Sequence, residues 1–375
     1  MYKRQGDEGV LKFIHTADVH IDSAFTARFT VNQARRLRAD ILKSFARIID
    51  LAKDADILLI AGDLFETRRP ASDAVSYVKR KFAEIPHTKV FIAAGNHDPY
   101  TEDSVYANEN LGENVHVFST EAECVSLPEL NTRVYGISFS RPHFDYTLPL
   151  PDIIKIDGIF DIMVMHADLV SAGGKSNYNP VCENTIAECG ADYLALGHVH
   201  DRSEIKLCGR TRYAYSGVPQ GRGFDELGEC GCYLLTWDGE YVKAEFVKTC
   251  VRKMLEISVD ISGAQDAMHI SEMVCGAVES AGNKEDFFKI LLSGRVKPGI
   301  FNTDFLISEL NEVSSYTDIT DKTLPLYDIG TLSKQNSLSG EFVRIMLKKM
   351  RKNADGRYEE AMYEGLEVLL GGDES

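Results

Sequence analysis

Along residues 11–250 two spacings of apolar side chains take turns. Short runs read as strands: Leu11–Thr16, Asp56–Ala61 (D-I-L-L-I-A), Lys89–Ala94, Arg133–Ile137, Ile159–Met165 and Tyr193–Leu196. Between them lie stretches with helical spacing. In Val31–Leu51, the side chains of Ala34, Leu37, Ile41, Phe45, Ile48 and Ile49 fall on one side, and Ala71–Ile85 follows Pro70 as a second helix. The strand runs are continuous rather than alternating, which predicts strands covered on both faces and an α/β class. Gly231–Trp237 and Tyr241–Val247 close this region as further strands.

After residue 252 the pattern changes. Met254–Val259 and Phe287–Ser293 read as strands, Gln265–Ser280 and Asn302–Glu312 as helices, with a further strand near 316–320. From Leu338 onward come two helical stretches, 339–353 and 357–370. Leu338, Phe342, Ile345 and Met346 stripe the first, and Met362, Leu366 and Leu369 the second. The expected division is therefore a large domain over 1–250, a small α+β domain over 251–325 and a helical tail over 326–375.

Composition narrows the class. Of 375 residues, 44% are apolar and 26% charged, an ordinary globular balance. No window approaches the roughly 18 apolar residues of a membrane helix. The first eight residues carry a basic pair but no apolar stretch of the kind a secretory signal needs, so a cytoplasmic location is expected. The eight cysteines form no C-x-x-C pair, which argues against a zinc ribbon. Cys230 and Cys232 share a strand face and read as small buried hydrophobes. The 41 basic and 57 acidic residues give a net charge of −16, unhelpful for plain electrostatic attraction to nucleic acid. Divalent cations at a carboxylate site return positive charge where it is needed. The basic clusters Arg35/Arg36/Arg38, Lys79/Arg80/Lys81 and Lys348/Lys349/Arg351/Lys352 read as solvated helix faces.

The chemistry lies at the carboxyl end of each strand of the large domain. Asp18 and His20 (A-D-V-H) come after the first strand, Asp63 (A-G-D-L-F) after the second, and Asn96, His97 and Asp98 (A-G-N-H-D) after the third. His166 ends the 159–165 strand, and His198 and His200 (L-G-H-V-H) come after the 193–196 strand. Ligands of open α/β sheets gather outside the carboxyl ends of strands, so five strand ends deliver side chains to one crevice. Asp18, Asp63, Asn96, His20, His166, His198 and His200 offer hard oxygen and imidazole nitrogen. That set suits manganese, iron or zinc better than magnesium or calcium. Seven ligands are too many for one ion and fit two if a carboxylate bridges. Two ions about 3.5–4 Å apart form the clamp used for in-line displacement at phosphorus.

The ordered set D-x-H, G-D, G-N-H-D, H, G-H-x-H resembles the calcineurin-like metallophosphoesterases over residues 11–250. The resemblance implies a β-sandwich flanked by helices. Asp18, His20 and His200 would hold one ion with Asp63 bridging, and Asn96, His166 and His198 the other. His97 would act as general acid on the leaving oxygen while a metal-bridged hydroxide attacks phosphorus, with Asp98 orienting His97. A finer resemblance, to the SbcD-type DNA repair exonuclease branch and its YhaO-like group, rests on Phe13–Phe25 (F-I-H-T-A-D-V-H-I-D-S-A-F), Gly62–Pro70 and Ser216–Leu234. It implies a manganese-dependent DNA exonuclease or endonuclease. The small domain would cap DNA, the tail would dock on an SMC-like ATPase of SbcC type, and the phosphoesterase domain would form a homodimer. Ala24 replaces a usual proline, and Glu66 stands where the archaeal and eukaryotic branch carries a histidine.

Several residues keep two readings. Arg222, in the Q-G-R turn, is either a substrate-phosphate contact or a carboxylate-paired structural arginine. His15 is a satisfied core histidine or supports a ligand, Asp22 bonds a ligand histidine or caps its loop, and Tyr178 stacks a base or packs its loop. The competing functions are a phosphatase or phosphodiesterase of the same fold acting on a small-molecule or protein phosphoester, and a scaffold without activity. The complete ligand set argues against the scaffold.

Overall fold

The computed structural model describes residues 9–25, 29–352 and 357–370. The chain divides into two compact units, Met1–Met254 and Leu255–Ser375.

The first unit holds two six-stranded sheets. Its early elements are β1 (Leu11–Thr16), α1 (Val31–Ala52), β2 (Ile57–Ala61), α2 (Ser72–Ala83), β3 (Lys89–Ala93), α3 (Val105–Asn108) and β4 (Val115–Val117). Then come β5 (Glu123–Leu127), β6 (Thr132–Ile137), β7 (Phe160–His166), the short pair β8 (Asp168–Leu169) and β9 (Pro180–Val181), and α4 (Glu183–Cys189). The unit closes with β10 (Tyr193–Gly197), β11 (Lys206–Cys208), β12 (Thr211–Tyr215), β13 (Gly231–Trp237) and β14 (Val242–Lys248). One sheet runs β14-β13-β1-β2-β3-β4 and the other β11-β12-β10-β7-β6-β5.

The strand residues alternate between two cores. Phe13, Ile57, Leu59, Ala61 and Phe91 of the first sheet are buried with Phe160, Ile162, Val164, Tyr193 and Ala195 of the second. Ile14, Leu58, Ile60 and Ile92 point the other way, against Ile41, Phe45 and Ile48 of α1 and Val78 and Phe82 of α2. On the far face of the second sheet, Met163, Met165, Leu194 and Leu196 pack with Ile186 and Cys189 of α4. The expected helix-flanked sandwich is therefore a four-layer arrangement, which explains why its strands lack polar alternation. The first helix starts where Thr30 and Gln33 form a capping box, the Gln33 N–H donating to Thr30 Oγ1 and the Thr30 N–H to Gln33 Oε1.

The second unit is opened by β15 (Met254–Asp260), α5 (Ala267–Ala281), β16 (Phe287–Ser293), β17 (Arg295–Val296), α6 (Thr303–Leu310), β18 (Tyr316–Asp321) and β19 (Leu324–Pro325). A three-stranded sheet, β15-β16-β18, buries Ile290 and Leu292 with Ile270, Val274 and Leu306 of the two helices. Next are α7 (Ile329–Leu332), α8 (Leu338–Met350) and α9 (Arg357–Leu370). Val343, Met346, Met362 and Leu366 of the last two form a separate cluster. None of the described helices is long and apolar enough to cross a membrane.

Candidate metal centre

Strands β1, β2 and β3 are mutually parallel, and so are β7 and β10. Their carboxyl ends therefore face one region. The strand ends are tied together there, β1 to β2 within the first sheet and β1 across to β10 of the second. The Asp18 and His20 N–H groups donate to the carbonyls of Gly62 and Asp63 at 3.0 and 2.9 Å, and the His198 N–H reaches the Asp18 carboxylate at 3.1 and 3.2 Å. Such crossings need unusual backbone. Asp18, His20, Asp63 and His198 all have positive φ, at 51°, 51°, 50° and 105°. Conformations like these cost on the order of 1–3 kcal/mol each and persist where the surroundings enforce them. Gly95 is needed beside them, because a Cβ there would overlap the Asp63 carboxylate.

The structure brings the seven expected ligands together. Ligand atoms of Asp18, His20 and His200 lie within 4.8 Å of one another, as do those of Asp18, Asp63 and His166 and those of His20, Asp63 and His97. Asp63 Oδ2 stands between two histidines, 3.7 Å from His20 Nε2 and 3.5 Å from His166 Nε2. Asn96 Oδ1 is 2.9 Å from His166 Nε2 and 3.3 Å from His198 Nδ1. His200 Nε2 lies 4.0 Å from Asp18 Oδ1.

These groups fit divalent cations better than they fit each other. His166 Nδ1 must donate to the Ala61 carbonyl, 3.0 Å away, so Nε2 faces the oxygens of Asn96 and Asp63 with a lone pair. His20 is fully buried and neither ring nitrogen completes a hydrogen bond. Its Nδ1 lies 3.1 Å from Glu66 Oε2 without the alignment of one. A buried polar group without a partner costs free energy that a bound cation would offset. His15, on the preceding strand, is the contrast. Its two nitrogens bond Tyr193 Oη at 2.9 Å and the Leu196 carbonyl at 3.1 Å, making it a satisfied core residue.

Burial sets much of the electrostatics. It raises the Asp18 carboxyl to about 6, against the pull of His166. It would raise Asp63 as well, but His166 and His20 bring that carboxyl below its usual value. Burial and the neighbouring His166 lower His198 to about 4. His97 is different: the Glu66 carboxylate facing its Nδ1 at 3.6 Å raises it to about 9.

One expectation needs correction. Asp98 does not orient His97. Its carboxylate accepts from the Phe65 and Gly95 N–H groups at 3.0 and 2.8 Å and from Tyr106 Oη at 2.5 Å, so it pins the loop rather than the imidazole. The carboxylate facing His97 is Glu66, from the end of another strand. Arg222 shows the carboxylate pairing of its two readings. Its guanidinium bonds Glu226 through Nη2 at 2.8 Å and Nε at 3.1 Å, and Glu66 through Nη1 at 3.3 Å. Asp22 caps its loop by accepting from the Ala71 N–H at 2.9 Å, and Tyr178 packs over the His198 ring at 4.6 Å.

Glu226 escaped the sequence analysis. Its Oε1 is 2.8 Å from His200 Nδ1. Buried as it is, contacts from His200 and Arg222 still hold it at about 2. Its placement four residues after Arg222 was the available signal.

The chain is similar to several known proteins. The sequence profile of the calcineurin-like phosphoesterases, a family built around a dinuclear metal centre, matches residues 11–202. YhaO of Bacillus subtilis (strain 168), described as an uncharacterized metallophosphoesterase, is 26% identical over 279 residues, covering 70% of this chain and 66% of that protein. The DNA double-strand break repair protein Mre11 of Methanopyrus kandleri is 27% identical over 281 residues, covering 68% of this chain and 60% of that protein. The chain thus spans less than two thirds of the length of either relative. Among solved structures, TT1561 of Thermus thermophilus is similar with a TM-score of 0.39 at 12% identity, over 64% of this chain and 100% of that one. With more than half of its length matched, and the clustered aspartates, histidines and Asn96 inside the match, this chain belongs to the calcineurin-like phosphoesterase family.

Proposed function

We propose that the chain is a manganese-dependent phosphodiesterase that cleaves DNA, as an exonuclease or endonuclease in repair. The observation that carries the reading is Asp63 Oδ2, standing 3.7 Å from His20 Nε2 and 3.5 Å from His166 Nε2, where one carboxylate could serve two ions. Asp18, His20 and His200 would hold one ion, Asn96, His166 and His198 the other, and Asp63 both. The mixed oxygen and imidazole set favours manganese, with iron or zinc as alternatives. Such ions, when bound, supply Lewis acidity toward phosphoryl oxygens and a water of lowered pKa. His97 faces Glu66 through Nδ1 and is 41% exposed at its side chain, which leaves Nε2 to give a proton to the leaving oxygen.

DNA is favoured over a small ester by the likeness to a protein named for double-strand break repair and by the additional α+β unit. The net charge of −16 favours the second reading, a phosphatase or phosphodiesterase acting on a small-molecule or protein phosphoester. The proposed partners are DNA, an SMC-like ATPase met by the tail helices, and a second copy of the chain. Manganese-loaded protein should hydrolyse bis-p-nitrophenyl phosphate and degrade double-stranded DNA from free ends, with p-nitrophenyl phosphate a poor substrate. The opposite preference selects the second reading. ATPase association that survives deletion of residues 330–375 would refute docking through the tail.

A further inference from the structure

We infer that Glu66 is a specificity-determining residue that makes this site prefer phosphodiesters over phosphomonoesters, an inference that rests on the phosphodiesterase reading above. Glu66 lies three residues beyond Asp63 and reaches into the cluster from the same strand end. Its Oε1 is 3.6 Å from His97 Nδ1. Its Oε2 accepts from the Ser23 hydroxyl at 2.6 Å and lies 3.1 Å from His20 Nδ1 and 3.3 Å from Arg222 Nη1. The side chain is 28% exposed, beside the 41% exposed His97. A full negative charge therefore stands on the open side of the cluster. It is one imidazole away from where a scissile phosphate must sit for His97 to reach the leaving oxygen.

The charge around it is balanced and leaves no surplus cation for a phosphate. Arg222 reaches the cluster and is divided between two carboxylates, Nε and Nη2 on Glu226 and Nη1 on Glu66. Arg222 and His97, which carries a proton when it acts as general acid, are two cations against two carboxylates, so Glu66 cancels positive charge that would otherwise face the phosphate. A phosphodiester carries one negative charge. A phosphomonoester near neutral pH carries about 1.5 to 2, because its second ionisation lies near pH 6. The additional charge is the part that Glu66 repels and that the divided Arg222 guanidinium does not receive. Neutralising Glu66 does two things in the same direction: it removes the repulsion and releases Arg222 Nη1 toward the phosphate.

The test compares Glu66→Gln and Glu66→Asp with the parent protein, all manganese-loaded, with metal content measured by atomic absorption. Rates are taken on bis-p-nitrophenyl phosphate and p-nitrophenyl phosphate, and inhibition by inorganic phosphate and dimethyl phosphate. In Glu66→Gln the diester-to-monoester ratio of kcat/KM should fall about tenfold, equal to about 1.4 kcal/mol. Inorganic phosphate should inhibit it more tightly while dimethyl phosphate does not. Glu66→Asp, which keeps the charge, should keep the parent ratio. A Glu66→Gln ratio equal to the parent's, at unchanged metal content, overturns the inference and leaves the phosphodiesterase reading standing. A Glu66→Gln protein that has lost its metal assigns Glu66 to holding His20 and overturns it too. A parent protein that prefers the monoester fails the phosphodiesterase reading itself.

Discussion

Two histidines near the start of the chain show how much a single residue's surroundings decide. His15 and His20 are both fully buried, yet the first has both nitrogens bonded and the second has neither. Residue type and strand-end position were enough to single out the seven clustered side chains. They were not enough to say which carboxylate serves His97. Asp98 is adjacent in sequence, but the Gly95 and Phe65 N–H groups and the Tyr106 hydroxyl capture it, and Glu66 arrives from the end of another strand. No spacing rule carries that information, because it depends on how two loops cross. The roles proposed for these residues separate under mutation. His97→Ala should keep both metals and lose about 10²–10⁴-fold in turnover of bis-p-nitrophenyl phosphate, the range of a lost general acid. His198→Ala should lower the metal-to-protein ratio by about one ion, since its Nδ1 shares Asn96 Oδ1 with His166. Equal metal content in the two variants would contradict the division of labour.

At the scale of elements, the long pieces were legible and the short ones were not. The helix α1 and the strands β2, β3, β7 and β10 follow from apolar spacing that runs for five residues or more. The strands β4, β5 and β11 lie at or next to sheet edges, are half exposed, and leave only three to five residues of weak pattern. Glycine was legible as a motif letter but its reason appears only in three dimensions. At Gly197 a Cβ would overlap the Ala61 carbonyl, where the ends of β10 and β2 close on each other. Gly197→Ala must therefore push the sheets apart. It should lower stability by about 1–3 kcal/mol, the cost of overpacking, and weaken metal binding with it. Gly276 is the matched control. It lies inside α5 with nothing within 4 Å of its absent Cβ. Gly276→Ala should be neutral or stabilising by up to about 1 kcal/mol. Denaturant midpoints measure both, and a Gly197→Ala protein as stable as Gly276→Ala would show that the sheet ends are not closed as described.

For the whole molecule, the acidic balance and the metal centre are one problem. A chain of net charge −16 buries Asp18 and Asp63 completely and sets them against histidines that cannot satisfy one another. Cations bound by the folded form and not by the unfolded chain stabilise it in proportion to RT ln(1 + [L]/Kd), about 2.7 kcal/mol at a hundredfold excess over Kd. Removing the metal with a chelator should therefore lower the thermal midpoint by several degrees, and added manganese should restore it. Simple screening of a −16 surface makes a different prediction, because sodium chloride at matched ionic strength would restore the midpoint as well as manganese does. Asp63→Asn separates the two. It removes the buried carboxylate between His20 and His166 and changes the net charge by only one unit. If the centre is the source of the stability, the chelator should barely move the Asp63→Asn midpoint while still moving that of the parent. Equal shifts in both proteins would place the stabilising cations elsewhere on the surface and remove the physical basis for a two-ion site.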